Sequence, residues 1–122
     1  MFDDDILDRL NKVCKNEPIH FIGLGAYDFQ LSFEGIDRIQ TMEKAVFSFG
    51  GDHYTWEEGP ANIPVWLLIG QIPTKFELPT PLVLRMNLVS GDYVEFYTAE
   101  HKYEATVIDF GLQDDMRIIE IY

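Results

Sequence analysis

Two stretches of strict alternation limit what this chain can become. Phe29, Leu31 and Phe33 alternate with Gln30, Ser32 and Glu34, and Leu82, Leu84, Met86 and Leu88 alternate with Val83, Arg85 and Asn87. A period of two puts an apolar face on one side of a strand, so each segment needs a second layer to cover it. Each runs into a glycine turn, Glu34-Gly35 and Ser90-Gly91, which leads into another strand pattern: Ile36 to Phe49 and Tyr93 to Tyr97. Gly50-Gly51-Asp52 marks a third turn, ahead of the aromatic His53-Tyr54-Thr55-Trp56. Further strands are expected over 72–78, put at an edge or bulge by Pro73, over 103–110 and over 116–122, with 111–115 as a loop.

Helical signals are fewer. Ile6, Leu7, Leu10, Val13 and Cys14 recur at three- and four-residue steps, which predicts a helix over 3–16. Asp3, Asp4 and Asp5 supply an N-cap and favourable charge at its start, and Glu17-Pro18 stops it. The apolar run Val65 to Ile69 suits either a buried strand or a short helix; Asn62, Pro64 and Gly70 favour the helix. The expected fold is therefore α+β, a single domain over 1–122. Its N-terminal helix packs on a mainly antiparallel β-sheet, with one short helix mid-chain.

On this framework sits a net charge of −12, from 21 Asp and Glu against nine Lys and Arg. Disordered acidic tails lack the 47% hydrophobic and 14% aromatic content seen here, so the charge belongs to a folded surface. Such a surface argues against direct binding to nucleic acid, which requires Lys and Arg to displace phosphate counterions. It favours a basic protein partner, or simply serves solubility. Cys14 is the only cysteine, which rules out a disulfide framework and a thiolate metal cluster. No apolar run approaches a bilayer-spanning length, and Met1-Phe2-Asp3-Asp4-Asp5 is acidic where a secretory signal is basic, so no membrane association and a cytoplasmic location are expected.

Catalytic motifs are absent. His20, His53 and His101 fit no zinc spacing, Gly23-Leu24-Gly25 lacks the rest of a dinucleotide fingerprint, and neither a metal nor a cofactor is expected. The carboxylates are more informative. Asp52, Glu57 and Glu58 cluster around Tyr54 and Trp56, in a stretch from 45 to 74 without a single Lys or Arg. Acids beside aromatics can form a glycosidase-like cleft, a recognition surface or a solvated loop. Glu95, Tyr97 and Glu100 form a second candidate patch in an acidic C-terminal portion.

Leu67-Leu68-Ile69-Gly70-Gln71, the hairpin from Leu82 to Phe96 and Tyr103-Glu104-Ala105-Thr106 together resemble small bacterial proteins of the toxin-immunity type. The resemblance spans residues 56–110 and carries no catalytic residue. It implies a bacterial, cytoplasmic, non-enzymatic binding protein. The expected function is an acidic inhibitor that occludes the active site of a basic toxin, such as a nuclease, through the two patches named above. One alternative is a small ligand-binding or enzymatic domain with a pocket between helix and sheet lined by Trp56, Trp66 and Tyr103. Another is a module that self-associates through exposed strand edges.

Overall fold

A computed structural model of the chain describes residues 1–57, 62–100, 105–113 and 116–122. The helix α1 spans Asp4–Val13. Asp3 caps it, its carboxylate accepting the Ile6 N–H at 2.9 Å. Ten strands follow: β1 Ile19–Leu24, β2 Phe29–Phe33, β3 Ile36–Thr41, β4 Lys44–Phe49, β5 Asp52–Trp56, β6 Pro73–Thr80, β7 Val83–Leu88, β8 Tyr93–Tyr97, β9 Thr106–Gln113 and β10 Met116–Ile121. Between β5 and β6 the ambiguous apolar run forms a short 3-10 helix, Val65–Leu68, with no side-chain cap from Asn62 and with Gly70 at φ 88° behind it. Only Leu68 of this helix is buried, while Trp66, Leu67 and Ile69 are exposed.

The expected single sheet is corrected to two. One has the order β1-β2-β3-β9-β10 and the other β5-β4-β8-β7-β6, and every strand pair is antiparallel. The physical reason lies in β3 and β4. The pattern from 36 to 49 is broken at Met42-Glu43, where the chain leaves the first sheet and enters the second. β9 and β10 then return to complete the first sheet, so the chain is not a simple meander.

The two apolar faces close on each other. Phe29 of β2 meets Phe47 of β4 edge-on at 4.9 Å and Phe96 of β8 at 6.1 Å, and Phe33 stacks on Phe76 of β6 at 6.2 Å. Each such aromatic pair adds about 0.5–1.5 kcal/mol to the transfer energy of its buried surface. Ile39, Leu84, Met86 and Ile108 fill the same interior and are fully buried.

α1 closes one open side of the sandwich. Ile6 and Leu10 are buried, contributing about 1.5–3 kcal/mol each. Asn11 acts as a surrogate strand for the edge of β6, accepting the Phe76 N–H at 2.8 Å and donating to the Phe76 carbonyl at 3.2 Å. At the opposite flank Arg9 lies over the Phe110 ring, and Phe2 packs on Tyr122 with centroids 5.1 Å apart. Cys14 packs against the core with its thiol donating to the Pro73 carbonyl, as expected for a small core residue.

The expected loop over 111–115 is also corrected, since β9 runs on through Gly111 to Gln113. Ile118 pairs with Gly111 and Ile119 with Asp109, which leaves Phe110 as an extra residue. This is a β-bulge, with Gly111 at φ 72° and its N–H donated to the Asp109 carboxylate at 2.9 Å. Tyr103 and Glu104, at the expected start of this strand, lie outside the described residues. No described helix is long and apolar enough to cross a membrane.

Candidate protein-binding surface

At the end of the sandwich where β3 turns into β4, four side chains from three separate segments surround a shallow depression of about 470 Å³. They are Tyr27 from the β1–β2 loop, Met42 and Glu43 from the β3–β4 turn, and Glu57 just beyond β5. Tyr27 is 72% exposed and Met42 39%, and both carboxylates are exposed. Among the described residues, the lining holds two carboxylates and no cation.

Local chemistry fixes each of these groups. Asp28 anchors the β1–β2 loop: its carbonyl accepts the Gly25 N–H at 2.8 Å, and its carboxylate accepts Nε2 of Gln40 at 2.8 Å and of Gln30 at 3.3 Å. With Asp28 tied down, the neighbouring Tyr27 ring projects outward. The Thr41 hydroxyl accepts the Glu43 N–H at 3.2 Å and so holds the β3–β4 turn. Glu57 is directed by its strand, because Trp56 pairs with Ala45 and turns its indole into the core.

The residues expected from sequence are only partly brought together. Lys44 pairs with Tyr97, and Ala45 with Trp56, so Tyr97 and Glu57 belong to the same end of the sandwich. Lys44 Nζ lies 4.4 Å from the centroid of the half-buried Tyr97 ring. Glu100 is exposed and follows β8 as it leaves this end. Asp52 is exposed but sits at the far end of β5, opposite Phe49. It is separated from Glu57 by a strand that rises about 3.3 Å per residue. Asp52 instead neighbours the turn where the Gly50 N–H donates to Asp92 at 2.9 Å.

Two expected contact residues are corrected. Trp56 is fully buried between the sheets, so it cannot meet a partner. Glu95 is 7% exposed, and both Nε and Nη2 of Arg85 donate to one of its oxygens at 2.9 and 2.8 Å, so its charge is already paired. Tyr54 is half-buried against Phe49, with centroids 5.8 Å apart, and serves the core more than the surface. Glu58 lies outside the described residues.

The outer face of the second sheet carries a different mixture. Ser48 lies between His53 and Tyr93, and Glu95 pairs with Arg85, so these side chains stand in adjoining rows. His53 Nε2 is 3.1 Å from the Tyr93 hydroxyl, and the Arg85 guanidinium lies 4.7 Å from the Tyr93 centroid. These side chains pair with one another across the strands.

Of the expected ligand pocket lined by Trp56, Trp66 and Tyr103, the two described residues do not share a cavity. Trp56 is in the core, Trp66 is 67% exposed, and Tyr103 lies outside the described residues. A groove of about 560 Å³ does run between α1 and the first sheet, but Asp5, Asp8, Arg9, Lys12, Phe110 and Ile118 are among its lining. In β9, burial pushes the Asp109 carboxyl up, but hydrogen bonds from Arg117 and the Gly111 N–H, with the charges of Arg117 and Arg38, outweigh it and hold Asp109 below the ordinary carboxylate range. That is a structural ion pair rather than a proton donor held neutral in a cleft.

No protein-family model matches this chain, and no curated protein or solved structure matches it.

Proposed function

We propose that this chain is a non-enzymatic acidic binding protein of the immunity type, which blocks a basic toxin, such as a nuclease, by covering its active site. The reading rests on one observation above the others: Tyr27 and Met42, both exposed, are flanked by Glu43 and Glu57 on a chain of net charge −12. An exposed aromatic and a thioether offer apolar anchors, and the carboxylates beside them select a cationic counterpart. Long-range attraction between the acidic chain and a basic surface speeds encounter, while burial of Tyr27 and Met42 slows dissociation. Nuclease surfaces are basic because their substrate is a polyanion, so an acidic protein competes for the same groups. The mechanism is occlusion, with no bond made or broken.

The test uses as candidate partner a basic protein encoded by a neighbouring reading frame. Association is followed by stopped flow across a salt series for the wild-type protein and for Glu43→Lys combined with Glu57→Lys. The expected result is a rate that falls steeply with salt in the wild type and, in the variant, an association slowed about tenfold at low salt with a flattened salt dependence. Equal rates for the two proteins at low salt would remove this surface from the function, and absence of any complex would remove the reading itself.

A further inference from the structure

Sheets protect their edges, and three of the four edges here are managed. β6 carries Pro73 and Pro79, and Asn11 of α1 occupies the backbone groups of Phe76. β1 has Ile19 bonded to Gly70 and Gln71. β5 is five residues long, with exposed Asp52, His53 and Thr55 along it. Among the described residues, β10 has no proline, no covering side chain and no backbone bond along its outer edge, and Arg117 and Glu120 are its only charges. Its sequence is Met-Arg-Ile-Ile-Glu-Ile, with Met116 69%, Ile119 43% and Ile121 52% exposed, and Leu112 of the adjoining β9 is 73% exposed.

The direction of its backbone groups follows from the register. Tyr122 and Thr106 exchange both hydrogen bonds, at 2.8 and 2.9 Å, so in this antiparallel ladder Glu120 faces β9 and the alternate residues Ile119 and Ile121 turn their N–H and C=O groups away from it. Those groups point off the sheet, and no partner for them is found among the described residues.

We infer that β10 pairs antiparallel with β10 of a second copy about a two-fold axis at Ile119, joining two five-stranded sheets into one of ten. The register has to set outward-facing residues of one copy opposite outward-facing residues of the other, and centring it on Ile119 does so while keeping Arg117, Ile119 and Ile121 all paired. It sets Ile119 opposite Ile119 of the second copy and Arg117 opposite Ile121, with all of these side chains on the outer face. On the inner face Glu120 of one copy comes opposite Ile118 of the other, beside the groove that holds Arg9 and Lys12 along with Asp5 and Asp8.

Charge also selects this edge. The strand holds one cation and one carboxylate, so it is neutral within a chain of net charge −12. Two copies repel each other through most of their surface and meet at lowest cost along this apolar strip. Salt therefore strengthens the dimer by screening that repulsion, whereas it weakens the docking of a basic partner. The two readings are separable by the sign of their salt dependence.

The experiment is sedimentation velocity of the full chain from micromolar to millimolar concentration at low and high salt. The expected result is a mass that rises toward twice the monomer value with concentration and with salt. Ile119→Lys sets like charges against each other at the axis, and it is expected to weaken the dimer at least about tenfold while leaving the thermal midpoint near that of wild type. As a second readout, Ile119→Cys brings two thiols to a pair of positions whose Cα atoms lie about 5.5 Å apart, within disulfide reach. Under mild oxidation it is expected to form covalent dimers faster than Thr55→Cys on the β5 edge, with the wild type, holding only Cys14, as baseline. A monomer at every concentration and salt, or equal cross-linking of the two cysteine variants, would overturn the inference.

Discussion

Thr41 and Thr106, directly opposite each other on β3 and β9, both lie with their hydroxyls 3.0 Å from the Tyr97 carbonyl oxygen on the other sheet. Both threonines are fully buried. One carbonyl with two lone pairs thus ties the end of β8 to the middle of the first sheet, and Thr41 also holds the turn that carries Glu43. Thr41→Val and Thr106→Val each keep the shape and remove a hydroxyl. Each is expected to cost about 1 kcal/mol by urea unfolding, and the double variant more than the sum, because Tyr97 then loses both hydroxyl donors. An additive cycle would mean that the two hydroxyls act independently.

Gly35 sits in the β2–β3 turn at φ 100°, and a Cβ there would come 2.8 Å from the Val13 carbonyl at the end of α1. Neither the backbone conformation nor the contact admits a side chain without movement. Gly35→Ala is expected to destabilise by about 1–3 kcal/mol, read as a drop in thermal midpoint. The solvent-facing Gly91, also at positive φ but with open space around it, gives the comparison: Gly91→Ala meets only the backbone penalty and should cost less.

Asp109 gives stability a pH dependence of definite sign. Its carboxyl is held below the ordinary range when folded, so folding favours the ionised form. The contribution is complete above the unfolded value of about 3.9 and is lost as pH falls through the lower folded value. In Arg117→Gln the leading hydrogen-bond donor is gone while burial still pushes the carboxyl up, so the loss is expected to begin at higher pH. Urea midpoints across a pH series for the two proteins check this.

Tyr27 and Glu43 are expected to affect different rate constants in a complex with a basic partner. Tyr27→Ala removes an anchor and should mainly speed dissociation, whereas Glu43→Gln removes a charge and should mainly slow association at low salt. Surface plasmon resonance at two salt concentrations separates them. If Tyr27→Ala left dissociation unchanged, the loop would not be part of the contact.

The contrast between Phe29-Leu31-Phe33 and Met42-Glu43 explains how much of this fold was legible. Alternation is local, so most strands and their inward faces could be read directly, as could α1 from its apolar stripe and Asp3 cap. Which strands pair is not local. β3 meets β9 across a separation of 65 residues, and nothing in either segment names the other, so two sheets were read as one. Gly111 misled because a bulge and a loop call on the same left-handed residue. The candidate surface was half legible: Glu57 follows from the parity of β5, but Trp56 has the opposite parity and goes inward. Tyr27, Met42 and Glu43 were missed because each is unremarkable in its own stretch and gains meaning only where three segments meet. The one available signal was the charged pair Glu43-Lys44 between the two strand patterns.

The separation between β3 and β9 matters most while the chain is being made. At about 5–20 residues per second, a ribosome needs roughly 3–13 s to extend the chain over the separation of 65 from Thr41 to Thr106. Throughout that interval the edge of β3 that β9 later fills stays open, even as β4 and β8 arrive to cover Phe29. A nascent chain in this state is a substrate for any holdase that reads apolar strands, and its escape depends on the arrival of the last hairpin.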